Sequence, residues 1–350
     1  MDGPTAVVLP LPAELPGTLA PVAERLAALT ARYGIAYTAA MGAGPEEAAA
    51  RAELRARLAA EGGEAVRVAD EPPAGSCVHD AFFSVRRALG DSAALLAGAV
   101  LVSDVLVQDD CAASGSTLDP DPDNLLLGVT GFLTGALPPV SKVAAWQPAH
   151  PVEAANQRWL VGHQRFFVML QLLTVALRGL DREGATAAQE QEAVRSFAWL
   201  CRSAAVSMRY AADFPPEMYP QVRRTMTPPA VNAGFSGLQT RDHLELVTWM
   251  RRFKRGGGLD RLDPGSRDAV HAAVQHLYEA HVWVCDRFGG ADEPSLLMAQ
   301  AAQAAGERAE SGVAAAQRLA RQRLGHLTPS PAPAPPAPPT APAPAPTASP

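Results

Sequence analysis

From Ser266 to Phe288 the chain carries neither glycine nor proline, and the run stops only at Gly289-Gly290. Ala, Val and Leu recur along its apolar side, the spacing of a mostly buried helix. Ser266 follows the Pro264-Gly265 turn and reads as the cap that opens it. Similar runs, bounded by Gly and Pro, return along the chain, and almost no apolar–polar alternation of the strand kind interrupts them. A chain patterned this way is restricted to an all-α fold, packed helix on helix.

The pattern predicts helices from Pro21 to Gly34, over 45–62, through His79 to Val107, over 124–137, Val152 to Leu180, 188–212, from Thr240 to the Gly256-Gly257-Gly258 stop, and over 292–325. The charges of 45–62 read as a solvated face. Asp119, Asp121 and Asp123 have calcium-loop spacing, but Asn124 stands where the loop Gly belongs and Thr130 where the bidentate Glu belongs. An ordinary solvated loop is expected there. From Pro329 to Pro350 the chain is Pro, Ala, Ser and Thr, with nothing large and apolar to bury. The expected organisation is one large helical domain over 1–327 and a disordered tail over 328–350.

Net charge is −6 and no basic run exceeds Arg251-Arg252 with Lys254-Arg255, which disfavours a nucleic-acid partner. The opening residues lack a basic leader with an apolar core, and the greasiest stretch, Ala93 to Leu106, contains Asp104. A soluble, cytoplasmic protein without a membrane span is expected. Cys77, Cys111, Cys201 and Cys285 form no CxxC pair, so neither a disulfide scaffold nor a four-thiolate zinc site is supported.

The chemistry concentrates near the end of the 266–288 helix. His281 and Cys285 stand four residues apart and so share a face. An imidazole there can ligate haem iron while a thiol one turn on reaches the porphyrin edge. A packed core histidine beside a packed core cysteine has the same spacing. His271 and His276 step round the helix and do not form a metal pair with His281. His276 with Glu279, and His163 in the aromatic stripe of 152–180, are further ligand candidates beside their surface and core readings. His243 opens another helix, just after Gly234-Phe235-Ser236-Gly237. A hairpin through Gly256–Gly258 would set it opposite His281, and two such histidines can hold a flat cofactor between them.

His243, His281-Val-Trp-Val-Cys285 and the upstream Met226–His243 stretch resemble the HxnHxxxC signature and loop of the haem-dependent 3-methyl-L-tyrosine hydroxylases of saframycin-type biosynthesis. Those enzymes belong with the all-α haem proteins of the tryptophan/indoleamine-dioxygenase type. The resemblance implies His281 as proximal iron ligand and Cys285 as a single thioether tether, giving a c-type haem without CxxCH. It places His243 on the distal side, as second ligand or as the acid–base group for hydrogen peroxide. Ser236 would contact the bound oxygen or the amino acid, and one of the 251–255 basic residues a propionate, beside the reading of an exposed basic helix end. The implied reaction is hydroxylation of tyrosine or 3-methyl-L-tyrosine ortho to the phenol, giving a catechol for tetrahydroisoquinoline antibiotics. An indole-opening haem dioxygenase, a non-catalytic bis-histidine haem protein and a cofactor-free helical interaction protein are the rivals. A homo-oligomer is compatible with all of them.

Overall fold

The computed structural model describes residues 6–39, 45–64, 67–68, 78–114, 116, 118, 129–135, 150–228, 231, 239–289, 294 and 310–328. The tail beyond 328, the Asp119–Asp123 spacing, Cys77 and the 232–238 loop lie outside them.

Helices dominate, as the Gly/Pro punctuation requires. They are α1 (Ala20–Ala39), α2 (Pro45–Glu64), α3 (Val78–Phe82), α4 (Ser92–Ser114), α5 (Val129–Thr134), α6 (Pro151–Leu180), α7 (Ala187–Ala211), α8 (Tyr219–Thr225), α9 (Arg241–Arg255), α10 (Gly258–Arg261), α11 (Pro264–Gly289) and α12 (Gly312–Gly325). Beside them stands a small sheet that the periodicity did not announce: β1 (Val7–Pro10), β2 (Arg67–Val68) and β3 (Val85–Leu89). β1 runs parallel to β3, pairing Val7 with Val85, and β2 is antiparallel to β3. The helix expected through His79 to Val107 is therefore α3, a strand and α4. Strands this short give too few residues for alternation to register, and the buried Arg87 breaks the apolar rhythm of β3.

Several boundaries differ for identifiable reasons. α1 runs through Gly34, because one glycine weakens a helix by only about 1 kcal/mol without ending it. Asp263, not Ser266, caps α11: its carboxylate accepts from Ser266 N at 3.1 Å and Oγ at 2.6 Å. Thr240 occupies the N-cap position of α9 but makes no side-chain cap bond. Two charges on α2 are not solvated. Arg51 is buried, and with Arg55 it grips Asp109 of α4.

The core is an antiparallel packing of α4 on α6, with α7 also packed along α6. By length and composition α4 and α6 could each cross a membrane, which the sequence was not expected to allow. Yet 78% and 83% of their apolar windows is buried within the protein, the position of core helices. Two buried ion pairs set their register. Asp104 receives Arg165 and Thr130, while Asp110 receives Arg158 Nε at 3.2 Å and the Tyr210 hydroxyl. Buried pairs of this kind add little net stability but penalise any register that separates them. α6 and α7 touch backbone to backbone at Gly162, where a Cβ would stand 2.4 Å from Ala211 Cβ. α11 packs on α7 and against α12.

Candidate active site

The last two turns of α11 present His281 and Cys285 together, with Nε2 and Sγ 4.0 Å apart. Both are partly buried, and the thiol is free. The Nδ1 atom of His281 is buried and meets no hydrogen-bond partner among the described residues. Burial pushes the imidazole down to about 4 and the thiol up to about 11. Near neutral pH the site therefore holds an uncharged ring with a lone pair to give, beside an unionised thiol.

α11 and α6 do not pack broadly on each other; each lies against α7. Their side chains meet across the space between. Trp159 of α6 approaches Phe288 of α11 at 6.4 Å between ring centroids. His163, one turn further along α6, is close enough to His281 for a charge on that ring to disfavour its own. These two facing pairs are the register of antiparallel helices. The far end is closed by rings: Phe288 stacks between Tyr219 at 4.2 Å and Phe214 at 4.9 Å. Arg287 ties the end of α11 down by donating to the carbonyls of Ala212 and Phe214. On the other side Phe83 stacks on His163 at 4.6 Å.

His243 is buried in the first turn of α9, and α9 packs on α6. The expected hairpin with α11 is not how the chain folds: α11 lies on α7 and α12, so the two helices rest on different partners rather than on each other. A buried ion cluster fixes the turn that carries His243. Arg87 Nη2 reaches Asp242 at 2.6 Å and Asp80 at 2.8 Å, and Gln171 of α6 donates to Asp242 at 2.8 Å. Ser236, Gly234 and Gly237 fall outside the described residues. His271 and His276 stand apart from His281 in metal terms: among the described residues no three His, Cys, Asp or Glu form a cluster able to hold an ion. The basic end of α9 is engaged elsewhere, Lys254 with the Gly325 carbonyl and Arg252 over the Trp249 ring. Trp159 and His163 stand four apart on α6, the spacing of His281 and Cys285, and only the fold brings them to the same place.

His163 is also held near 4, by burial first and then by the charge of His281, against a raising bond from the Trp159 carbonyl. In the unfolded chain both rings would take protons near 6.5. Stability from these two rings is thus complete above about pH 6.5 and is lost progressively as pH falls toward 4, on the order of 1 kcal/mol per pH unit for each ring. The urea midpoint of cofactor-free protein should fall between pH 7 and pH 5, and fall less in a His163→Gln, His281→Gln double variant. Equal slopes in the two proteins would refute the assignment.

Against known proteins, the family model for SfmD 3-methyl-L-tyrosine peroxygenase matches residues 8–269. That match ends short of His281 and Cys285, so it rests on the scaffold and the α9 region. A curated relative from Streptomyces lavendulae, 3-methyl-L-tyrosine peroxygenase, is 32% identical over 314 residues, covering 83% of each chain. A solved structure of SfmD, reduced by soaking with sodium hydrosulfite, superposes with a TM-score of 0.57 at 26% identity, covering 81% of this chain and 98% of that one. The helical scaffold, the sequence match along most of its length and the resemblance of the 226–285 motifs agree: this chain belongs to the SfmD 3-methyl-L-tyrosine peroxygenase family.

Proposed function

We propose that this protein is a haem-dependent peroxygenase. It hydroxylates tyrosine or 3-methyl-L-tyrosine ortho to the phenol, in the cytoplasm, on a route to tetrahydroisoquinoline antibiotics. The net reaction consumes one hydrogen peroxide per ring, placing one oxygen in the catechol and the other in water. Family membership supports the reaction. The observation that carries the cofactor is the His281–Cys285 pair: a neutral imidazole with a buried, unpartnered nitrogen, and a free thiol beside it on one helical turn.

That donor set fits a porphyrin. His281 would hold the iron, since the neutral ring is the ligating form. Cys285 would reach the macrocycle edge and close one thioether, with its proton going to the former vinyl carbon. Bound there, haem supplies the activation of peroxide. The chain supplies everything around that step. The rings of Phe214, Tyr219 and Phe288 shield the end of the site from water. His243, held in place by its neighbour Asp242, would stand on the distal side, as second ligand or as the group that moves a proton between the two peroxide oxygens.

Cys285→Ala tests the tether. Acid-acetone should extract haem from the variant and leave it on the parent protein. Equal extraction from both would remove Cys285 from the role while leaving the peroxygenase reading intact. Turnover of 3-methyl-L-tyrosine with peroxide, and not of an indole with dioxygen, tests the reaction itself.

A further inference from the structure

Where Trp159 of α6 approaches Phe288 of α11, α6 carries two polar atoms that the cofactor reading does not use. His163 Nδ1 lies 2.7 Å from the Trp159 carbonyl. A carbonyl only accepts, so Nδ1 carries the proton and the neutral ring's Nε2 is left as an acceptor. The Nδ1 contact is the ring's one hydrogen bond among the described residues, so Nε2 stays open to a donor. One turn away, the Trp159 indole N–H is buried and also without a partner among them. Leaving a buried donor unmade is costly, so such an atom calls for an explanation. The two rings are neighbours, 4.3 Å between centroids, and both are held in place. Phe83 stacks flat on His163, and Trp159 leans on Tyr219 and Phe288. The antiparallel register puts His163 across from His281 rather than along the helix from it.

One bare acceptor beside one bare donor matches a group that both gives and takes a hydrogen bond. We propose that Trp159 and His163 form the subsite that reads the substrate's phenolic hydroxyl, with Nε2 of His163 accepting its proton-bearing end and the indole N–H of Trp159 donating to its oxygen. Resting on the peroxygenase reading, this deepens it by naming what selects a phenol over a plain benzene ring. A site built to bond a hydroxyl rejects the analogue without one more strongly than an apolar pocket can. The hydroxyl held this way also fixes the orientation of the ring, and so which ortho carbon is offered.

The test is binding, measured by calorimetry on the cofactor-loaded full chain without peroxide. The two probes are 3-methyl-L-tyrosine and 3-methyl-L-phenylalanine, which differ by the hydroxyl alone. The parent should bind the phenol at least about tenfold more tightly. His163→Asn retains an amide for the Trp159 carbonyl and removes the Nε2 position; it should lose about tenfold for the phenol and nothing for the deoxy analogue. Trp159→Phe should act in the same direction, and His163→Gln, which returns an amide oxygen near Nε2, should recover part of the loss. Unchanged selectivity in both single variants, or equal weakening of both probes, overturns the subsite. A changed visible spectrum in His163→Asn would assign that ring to the metal and overturn it too. A parent that binds both probes equally sinks the subsite alone, whereas a parent that binds neither sinks the substrate reading with it.

Discussion

Arg87→Met lowers the unfolding free energy by about 3–5 kcal/mol, read from urea unfolding of parent and variant side by side. The guanidinium is the centre of a cluster with almost no solvent. Its side chain is 5% exposed, Asp242 is 0% and Asp80 is 11% exposed. Burial opposes the charge, but the flanking carboxylates of Asp242 and Asp80 outweigh it and hold the group protonated more firmly than usual. Arg87 also donates to the Pro10 carbonyl at 3.2 Å, which Gln171 shares at 2.9 Å. Removing the cation leaves Asp80 with Arg241 at 3.3 Å and leaves the dry Asp242 carboxylate beside it with the Gln171 amide, and that desolvation, not the lost attraction, sets the size of the effect. Adding Asp80→Asn and Asp242→Asn to Arg87→Met should therefore recover more than half of the loss. A single variant within 1 kcal/mol of the parent would show that water reaches the cluster. Because Asp242 precedes His243, the single variant should also shift the first turn of α9, which carries that ring.

That cluster shows why some of this molecule is readable from its sequence and some is not. Helix α7 was legible because its signals are local: Thr186 and Gln189 close a capping box, and the next stop is Pro215. His281 and Cys285 were legible for the same reason, since one helical turn fixes their approach before any tertiary contact forms. The Arg87 cluster joins β3, α3, α6, α9 and the end of β1, and no spacing rule links residues 80, 87, 171 and 242. In β3 the arginine reads as a surface charge until the partners arrive from elsewhere. The sheet itself was hidden because β1 and β3 are far apart in the chain and only four or five residues long. His243 falls between the cases. Its helix was foreseen, but the surface on which α9 rests is decided by Asp242 meeting Gln171 and Arg87, which a hairpin argument from the Gly256–Gly258 turn does not contain.

His281→Ala should abolish or alter the haem absorption band and reduce peroxide-driven turnover by more than about 100-fold. Even residues that merely orient a metal ligand are worth about 10–100-fold, and the ligand itself is worth more. The argument rests on what the ring gives up on folding. It sits with Nδ1 buried and unpartnered, next to a thiol that offers only a weak contact, and its charge is suppressed to about pH 4. An imidazole in that state loses hydrogen bonds to water and gains only the weak thiol contact from the described residues, so a group that takes its lone pair recovers part of that free energy. The proposed Cys285 tether makes the outcome informative. With Cys285 intact, covalent attachment can keep haem on the variant, and the sign of ligand loss is then a shifted band that external imidazole restores by entering the vacated space. With Cys285→Ala added, neither anchor remains and the protein should be purified without colour. An unchanged spectrum in the single variant, with full haem by the pyridine haemochrome assay, would remove His281 from the iron and turn attention to His243 and His163.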